Sequence, residues 1–292
     1  MKELIGTGVA LVTPFNQDGS IDYNGLKNLV NYSIDGGVEY LVLLGTTAES
    51  ATLTKNEKKE VVATIKKVNN GRVPMVLGIG GNNTAEVINE YETTDLTDFS
   101  AILTVSPYYN KPSQEGIYQH YKAISESTPA NIILYNVPGR TGSNIAPETT
   151  IRLANEFKNI VAIKEASPDF LQSTNIIRMN TREDFIVLSG DDEYALPMTL
   201  AGGKGVISVI GQGLPDIFTD IIRKGLSRDV DVAYNSHYKL VNITRAIFEE
   251  GNPVGIKALL AQKGICQPYT RLPLVPATAK LTAKIADLLN QF

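Results

Sequence analysis

Two residues in this sequence are best suited to covalent chemistry: Lys164 within IVAIKEAS (160–167) and Tyr135 within NIILYNVP (131–138). Both sit in apolar runs. An ammonium buried without a partner is costly, which favours the neutral amine, the form that attacks a carbonyl carbon to build an imine. A second reading stays open, in which Lys164 lies just beyond its strand and snorkels to solvent or pairs with Glu165. In an extended strand Ala162 and Lys164 share one face while Val161 and Ile163 share the other. Ile133 and Tyr135 likewise share a face one strand earlier. Neighbouring strands lie about 5 Å apart, so the phenol could reach anything attached to Lys164. A tuned phenol can move protons beside an imine, although a lone tyrosine in such a run is more often a packed aromatic.

Further candidates cluster at the ends of other apolar runs. Thr46 and Thr47, in LLGTTAES, combine small hydroxyls with turn N–H groups, a fitting cradle for a carboxylate. Tyr108 and Tyr109 follow in SPYYNKP, Arg140 in NVPGRT, Asp191 in LSGDD and Ser208 in GVISVIG. Asp191 and Asp192 could hold Mg²⁺ or Mn²⁺, but adjacent acids on one strand end point oppositely. With one cysteine, Cys266, and two histidines, His120 and His237, neither an internal disulfide nor a His/Cys zinc cluster can form. No metal is expected. The glycines of LAGGKGVISVIG suit either a phosphate site or turns that let a substrate approach closely, and the second reading is preferred.

Eight short Val/Ile/Leu-rich runs carry these residues, each ending in Gly, Pro, Thr, Ser, Asp or, in SPYY, tyrosine. They cover 8–14, 40–47, 74–80, 101–109, 131–138, 160–167, 185–192 and 205–211. Helical spacing fills the intervals, as in Leu26, Leu29, Val30 and Ile34. Near-continuous apolar strands imply a parallel sheet covered by helices. The alternation predicts an α/β fold, a (β/α)₈ TIM barrel, rather than a doubly wound sheet, whose G-x-G-x-x-G turn is missing after the first strand. The expected division is a catalytic barrel over 1–224 and a C-terminal helical region over 225–292. Gly251-Asn252-Pro253 and Gln267-Pro268 separate its helices.

Composition narrows the class further. The chain has 292 residues, 43% of them hydrophobic and 20% charged, with a net charge of −4, so it has no basic field for nucleic acid. The N-terminal MKELIGTGVALVTPF turns into a short strand instead of a cleavable apolar segment, and a cytoplasmic protein without membrane attachment is expected.

Taken together, LVLLGTTAES, and YNVPGRTG running through Ile145 to IVAIKEAS, resemble the signatures of the dihydrodipicolinate synthase and N-acetylneuraminate lyase family. The likeness covers essentially the whole chain. It implies a class I aldolase-type lyase in which Lys164 forms an imine with pyruvate, with no other cofactor, and Tyr135 donates and accepts protons. Thr46 and Tyr109 would complete a hydroxyl relay, Tyr109 reaching into a neighbouring subunit of a homo-oligomer, a tetramer built from tight dimers. Thr47 and the backbone at Ile207 would hold pyruvate. Ala48 departs from the glycine most members carry, which matters only if that position needs a positive φ.

The acceptor needs its own argument. The synthase branch of the family has an arginine at Arg140 to receive the carboxylate of L-aspartate 4-semialdehyde, and a guanidinium matches a carboxylate as a bidentate fork. The product would feed lysine and diaminopimelate biosynthesis. Sialic acid lyases carry an apolar residue there. The rivals are N-acetylneuraminate or 2-keto-3-deoxygluconate cleavage, and a catalytically silent barrel that serves as a binding protein. Regulated members bind L-lysine at the dimer interface, at positions matching Ser50, Ala51, Lys55, Lys58, Asn82, Glu86 and Tyr108. Lys55 and Lys58 replace histidines of strongly inhibited members, so like charge is expected to make L-lysine a weak effector.

Overall fold

The computed structural model describes residues 1–292. Its strands are β1 (Gly6–Ala10), β2 (Tyr40–Leu43), β3 (Met75–Gly78), β4 (Ala101–Val105), β5 (Ile132–Asn136), β6 (Ile160–Glu165), β7 (Ile186–Ser189) and β8 (Gly205–Ser208). They pair in sequence order, all parallel, and β8 returns to β1 to close a barrel. All eight expected strands are present, but their ends fall short of the apolar runs. β2 stops at Leu43 where 40–47 was read, and β4 at Val105 where 101–109 was read. Those surplus residues form turns at the barrel mouth, where Leu44, Thr47, Ser106 and Pro107 are buried outside the strands while Thr46, Tyr108 and Tyr109 are exposed.

Side-chain alternation sorts two cores. Inside the barrel, Ala10, Val42, Leu103, Ile133, Tyr135, Ala162, Leu188 and Ile207 pack together. The cluster between strands and helices holds 57 buried residues against 15 inside, so helix-on-sheet packing carries most of the hydrophobic stabilisation. Tyr40 crosses the interior and donates to the Val206 carbonyl at 3.2 Å. Gly8 makes room for that ring: a Cβ there would lie 2.0 Å from Tyr40 Cε2. Strict alternation fails once, because the β5–β6 register slips between Ile132 and Ile133, skipping Val161 and turning it into the interior cluster.

Helices begin where the chain supplies caps. Thr54 and Glu57 form a reciprocal capping box at the start of Lys55–Asn69, and Asp169 caps Phe170–Met179. The last barrel helix, Pro215–Leu226, spans the position where the C-terminal region was expected to start. Helices Val230–Phe248, Val254–Gln262 and Ala279–Leu289 follow, separated by the Gly-Asn-Pro and Gln-Pro segments. No helix is long and apolar enough to cross a membrane.

Candidate active site

Tyr135 and Lys164 face each other in the β5–β6 register, one residue before the strand ends. Each is 6% exposed. Lys164 Nζ stands 4.3 Å from the centroid of the Tyr135 ring. The possible pairing with Glu165 does not occur. Glu165 faces the helix layer, where its carboxylate accepts from Asn136 Nδ2, Gln172 Nε2 and the Ser167 N–H. Burial pushes the Glu165 carboxyl above its ordinary range despite these donors. Gly190, just after β7, opens the space Lys164 needs, since a Cβ there would lie 3.0 Å from Lys164 Cε.

Thr46 and Thr47 open a 3₁₀ turn, Thr46–Ala48, directly after β2. Thr46 is exposed and Thr47 buried; Thr47 Oγ1 accepts from Asn252 Nδ2 at 2.9 Å. Ala48 is not among the residues with positive φ, so its departure from glycine leaves the turn unstrained. The left-handed residue is the next one, Glu49, at φ 53°. Its buried carboxylate accepts from Lys257 Nζ at 2.5 Å and from the Arg271 N–H at 2.9 Å. Burial depresses the Lys257 pKa, while Glu49 opposes that shift. Lys257 is a charged residue in the otherwise apolar VGIKALLAQ helix, the same anomaly that marks Lys164, yet sequence reasoning missed it.

Arg140 lies in the short helix Pro138–Thr141 and donates to the Asn252 carbonyl at 3.2 Å. No carboxylate of the chain pairs with it, which leaves most of the guanidinium fork open. Asn252, read in the sequence only as a helix break, therefore bridges Thr47 and Arg140, and its own Oδ1 is buried without a partner. Ile207 is buried on β8. Asp192 grips the turn that follows: its carboxylate accepts from the Val209 and Ile210 N–H groups, and burial pushes it up to about 6. Asp191 instead accepts from the Glu193 and Tyr194 N–H groups. The two acids are thus spent on separate backbone turns.

Tyr109 stands apart. It is 87% exposed at φ 73°, and Tyr108 beside it is 41% exposed. Of the positions assigned to an effector, Lys55, Lys58 and Glu86 line one cavity of about 710 Å³ between helices Lys55–Asn69 and Thr84–Thr93. Asn82 Nδ2 donates to the Tyr108 carbonyl at 3.1 Å. Ser50 and Ala51 lie in a 3₁₀ turn just before helix Lys55–Asn69 and do not line that cavity.

Known proteins share this chain's sequence and fold over nearly its whole length. The chain is 58% identical to the 4-hydroxy-tetrahydrodipicolinate synthase of Flavobacterium psychrophilum, over 98% of this chain and 97% of the relative. It superposes on a Cyanidioschyzon merolae DHDPS with lysine bound at TM-score 0.94 and 35% identity, covering 99% of this chain and 98% of the other. It also superposes on a dihydrodipicolinate synthase from Acinetobacter baumannii complexed with pyruvate, at TM-score 0.93 and 38% identity over 98% of both chains. The Dihydrodipicolinate synthetase family model matches residues 3–292, and the chain belongs to that family.

Proposed function

We propose that the chain condenses pyruvate with L-aspartate 4-semialdehyde to 4-hydroxy-tetrahydrodipicolinate through an imine on Lys164. The lyase-type synthase activity follows from the family and from relatives at 45–58% identity that carry it. The observation that supports the covalent route is the pairing of a buried lysine, free of any carboxylate, with a phenol on the neighbouring strand. The Lys164 amine attacks the ketone carbon of pyruvate, and loss of water gives the imine. Tyr135 takes a proton from the methyl carbon, and the resulting enamine adds to the aldehyde, whose oxygen is protonated. The α-amino group of the second substrate then attacks the imine carbon, expels Lys164 and closes the ring. This sequence needs no cofactor beyond the lysine itself.

Thr47 and the Ile207 backbone hold the pyruvate carboxylate and ketone region in this reading, and Arg140 receives the carboxylate of the semialdehyde. Thr46 and the Tyr109 of a second copy extend the proton relay from Tyr135. The exposed, left-handed Tyr109 supports that assignment, which calls for a homo-oligomer, a tetramer of tight dimers. L-Lysine is a weak effector at the surface around Lys55, Lys58 and Glu86. The reaction is placed in the cytoplasm. Borohydride reduction in the presence of pyruvate, read by mass spectrometry, tests the core of the proposal. One reduced pyruvate unit on Lys164 is expected, and labelling that persists in Lys164→Ala would overturn it.

A further inference from the structure

We infer that Glu165 is a positioning residue for the Lys164–Tyr135 pair, a statement that rests on the imine reading above. The catalytic pair depends on a register that is set only after an irregularity in the β5–β6 pairing. β5 and β6 slip at Ile132/Ile133, and the pairs Ile133–Ala162, Leu134–Ile163, Tyr135–Lys164 and Asn136–Glu165 follow. A one-residue shift across that stretch would turn Lys164 out of the barrel and into the helix layer.

Side chains close the last of these pairs. Asn136 Nδ2 donates to Glu165 Oε1 at 2.9 Å and Oε2 at 3.0 Å. The same carboxylate accepts from Gln172 Nε2 at 2.9 Å and the Ser167 N–H at 2.7 Å. Asn136 in turn accepts from the Ile145 N–H at 2.9 Å and donates to Asn144 Oδ1 at 2.7 Å. Asn144 Nδ2 donates to Gln172 Oε1 at 2.7 Å. One carboxylate thus ties the end of β5, the end of β6 and the first turn of helix Phe170–Met179, and Asn136 and Gln172 extend the network to the loop that follows Arg140. Asn136 is 0% and Glu165 1% exposed, so water cannot replace a lost bond cheaply. Only an acceptor-only group suits three converging donors; an amide at this position would set its own NH₂ against one of them.

The test uses pyruvate alone in D₂O, following methyl proton exchange by NMR, which reports imine formation and proton removal without the second substrate. Glu165→Gln should slow exchange about 10- to 100-fold, as a misaligned acid–base pair does. Borohydride should still label its Lys164 to the wild-type extent. Pairing Glu165→Gln with Asn136→Asp restores one amide facing one carboxylate, while Gln172 and Asn144 can rotate their amides. That double variant should recover roughly tenfold of the lost rate, since contacting residues couple strongly. Wild-type exchange in folded Glu165→Gln, or no recovery in the folded double variant, overturns the inference. If Glu165→Gln does not fold, Asn144→Ala removes only the outer link; it should slow exchange about threefold, and an unchanged rate there overturns the inference. Failure of wild-type Lys164 to trap pyruvate would instead strike the imine reading itself.

Discussion

Lys257→Met isolates the contact that anchors the C-terminal helices to the turn bearing Thr46 and Thr47. The side chains of Lys257 and Glu49 are 0% and 2% exposed, and the ammonium also donates to the Tyr269 carbonyl at 2.8 Å. Methionine fills much of the same space but leaves the Glu49 carboxylate buried with only the Arg271 N–H. Removing one partner of such a pair costs about 3–5 kcal/mol. An unfolding entropy of about 2.1 cal/mol/K per residue, over 292 residues, gives about 0.6 kcal/mol/K, so Tm should fall by about 5–8 °C. Glu49→Gln added to Lys257→Met removes the stranded charge, and its amide can donate to the freed Tyr269 carbonyl. The double variant should regain about 2 kcal/mol, or roughly 3 °C. Thermal unfolding followed by circular dichroism reads both steps. A single variant that melts within about 1 °C of wild type, or a double variant no more stable than the single, refutes the reasoning.

Arg140→Ala should lower kcat/KM for aspartate semialdehyde about 10- to 100-fold, the worth of a charge-assisted bond, while pyruvate trapping at Lys164 stays intact. Equal loss of trapping would make Arg140 structural. His120 is 4% exposed, and burial pushes its pKa down to about 4. Its folded pKa lies below the unfolded value near 6.5, so the stability it contributes is present above about 6.5 and lost as pH falls toward 4. The loss is about 3 kcal/mol, and His120→Gln should flatten the fall in Tm between those pH values; an unchanged slope would contradict this. L-Lysine should inhibit weakly, because Lys55 and Lys58 line the cavity beside Glu86 and repel a cationic ligand. Half-inhibition well below about 1 mM would count against that reading, a scale set by a binding free energy near −4 kcal/mol.

Local pattern carried the barrel and its eight strands, and it marked Lys164 and Tyr135 as candidates that the family resemblance then singled out. Strand periodicity is a property of neighbouring residues, so apolar runs between helical spacings were legible, and Lys164 stood out because a charge in such a run violates its surroundings. The runs could not reveal where pairing stops, since a residue buried in a mouth turn is as apolar as one in a strand. Nor could they reveal the slip at Ile132/Ile133, which reverses Val161 and depends on two strands meeting. The sequence also left Lys164 free to pair with Glu165. Only the fold turned that carboxylate outward, to donors on Asn136, Ser167 and Gln172. Asn252, Glu49 and Lys257 escaped notice because their partners are about 200 residues distant: Asn252 is separated from Thr47 by 205 residues and Lys257 from Glu49 by 208. Contacts across such separations leave no periodic trace in a single chain. They exist because burial brings the polar ends of distant segments together, where each must find a partner away from water.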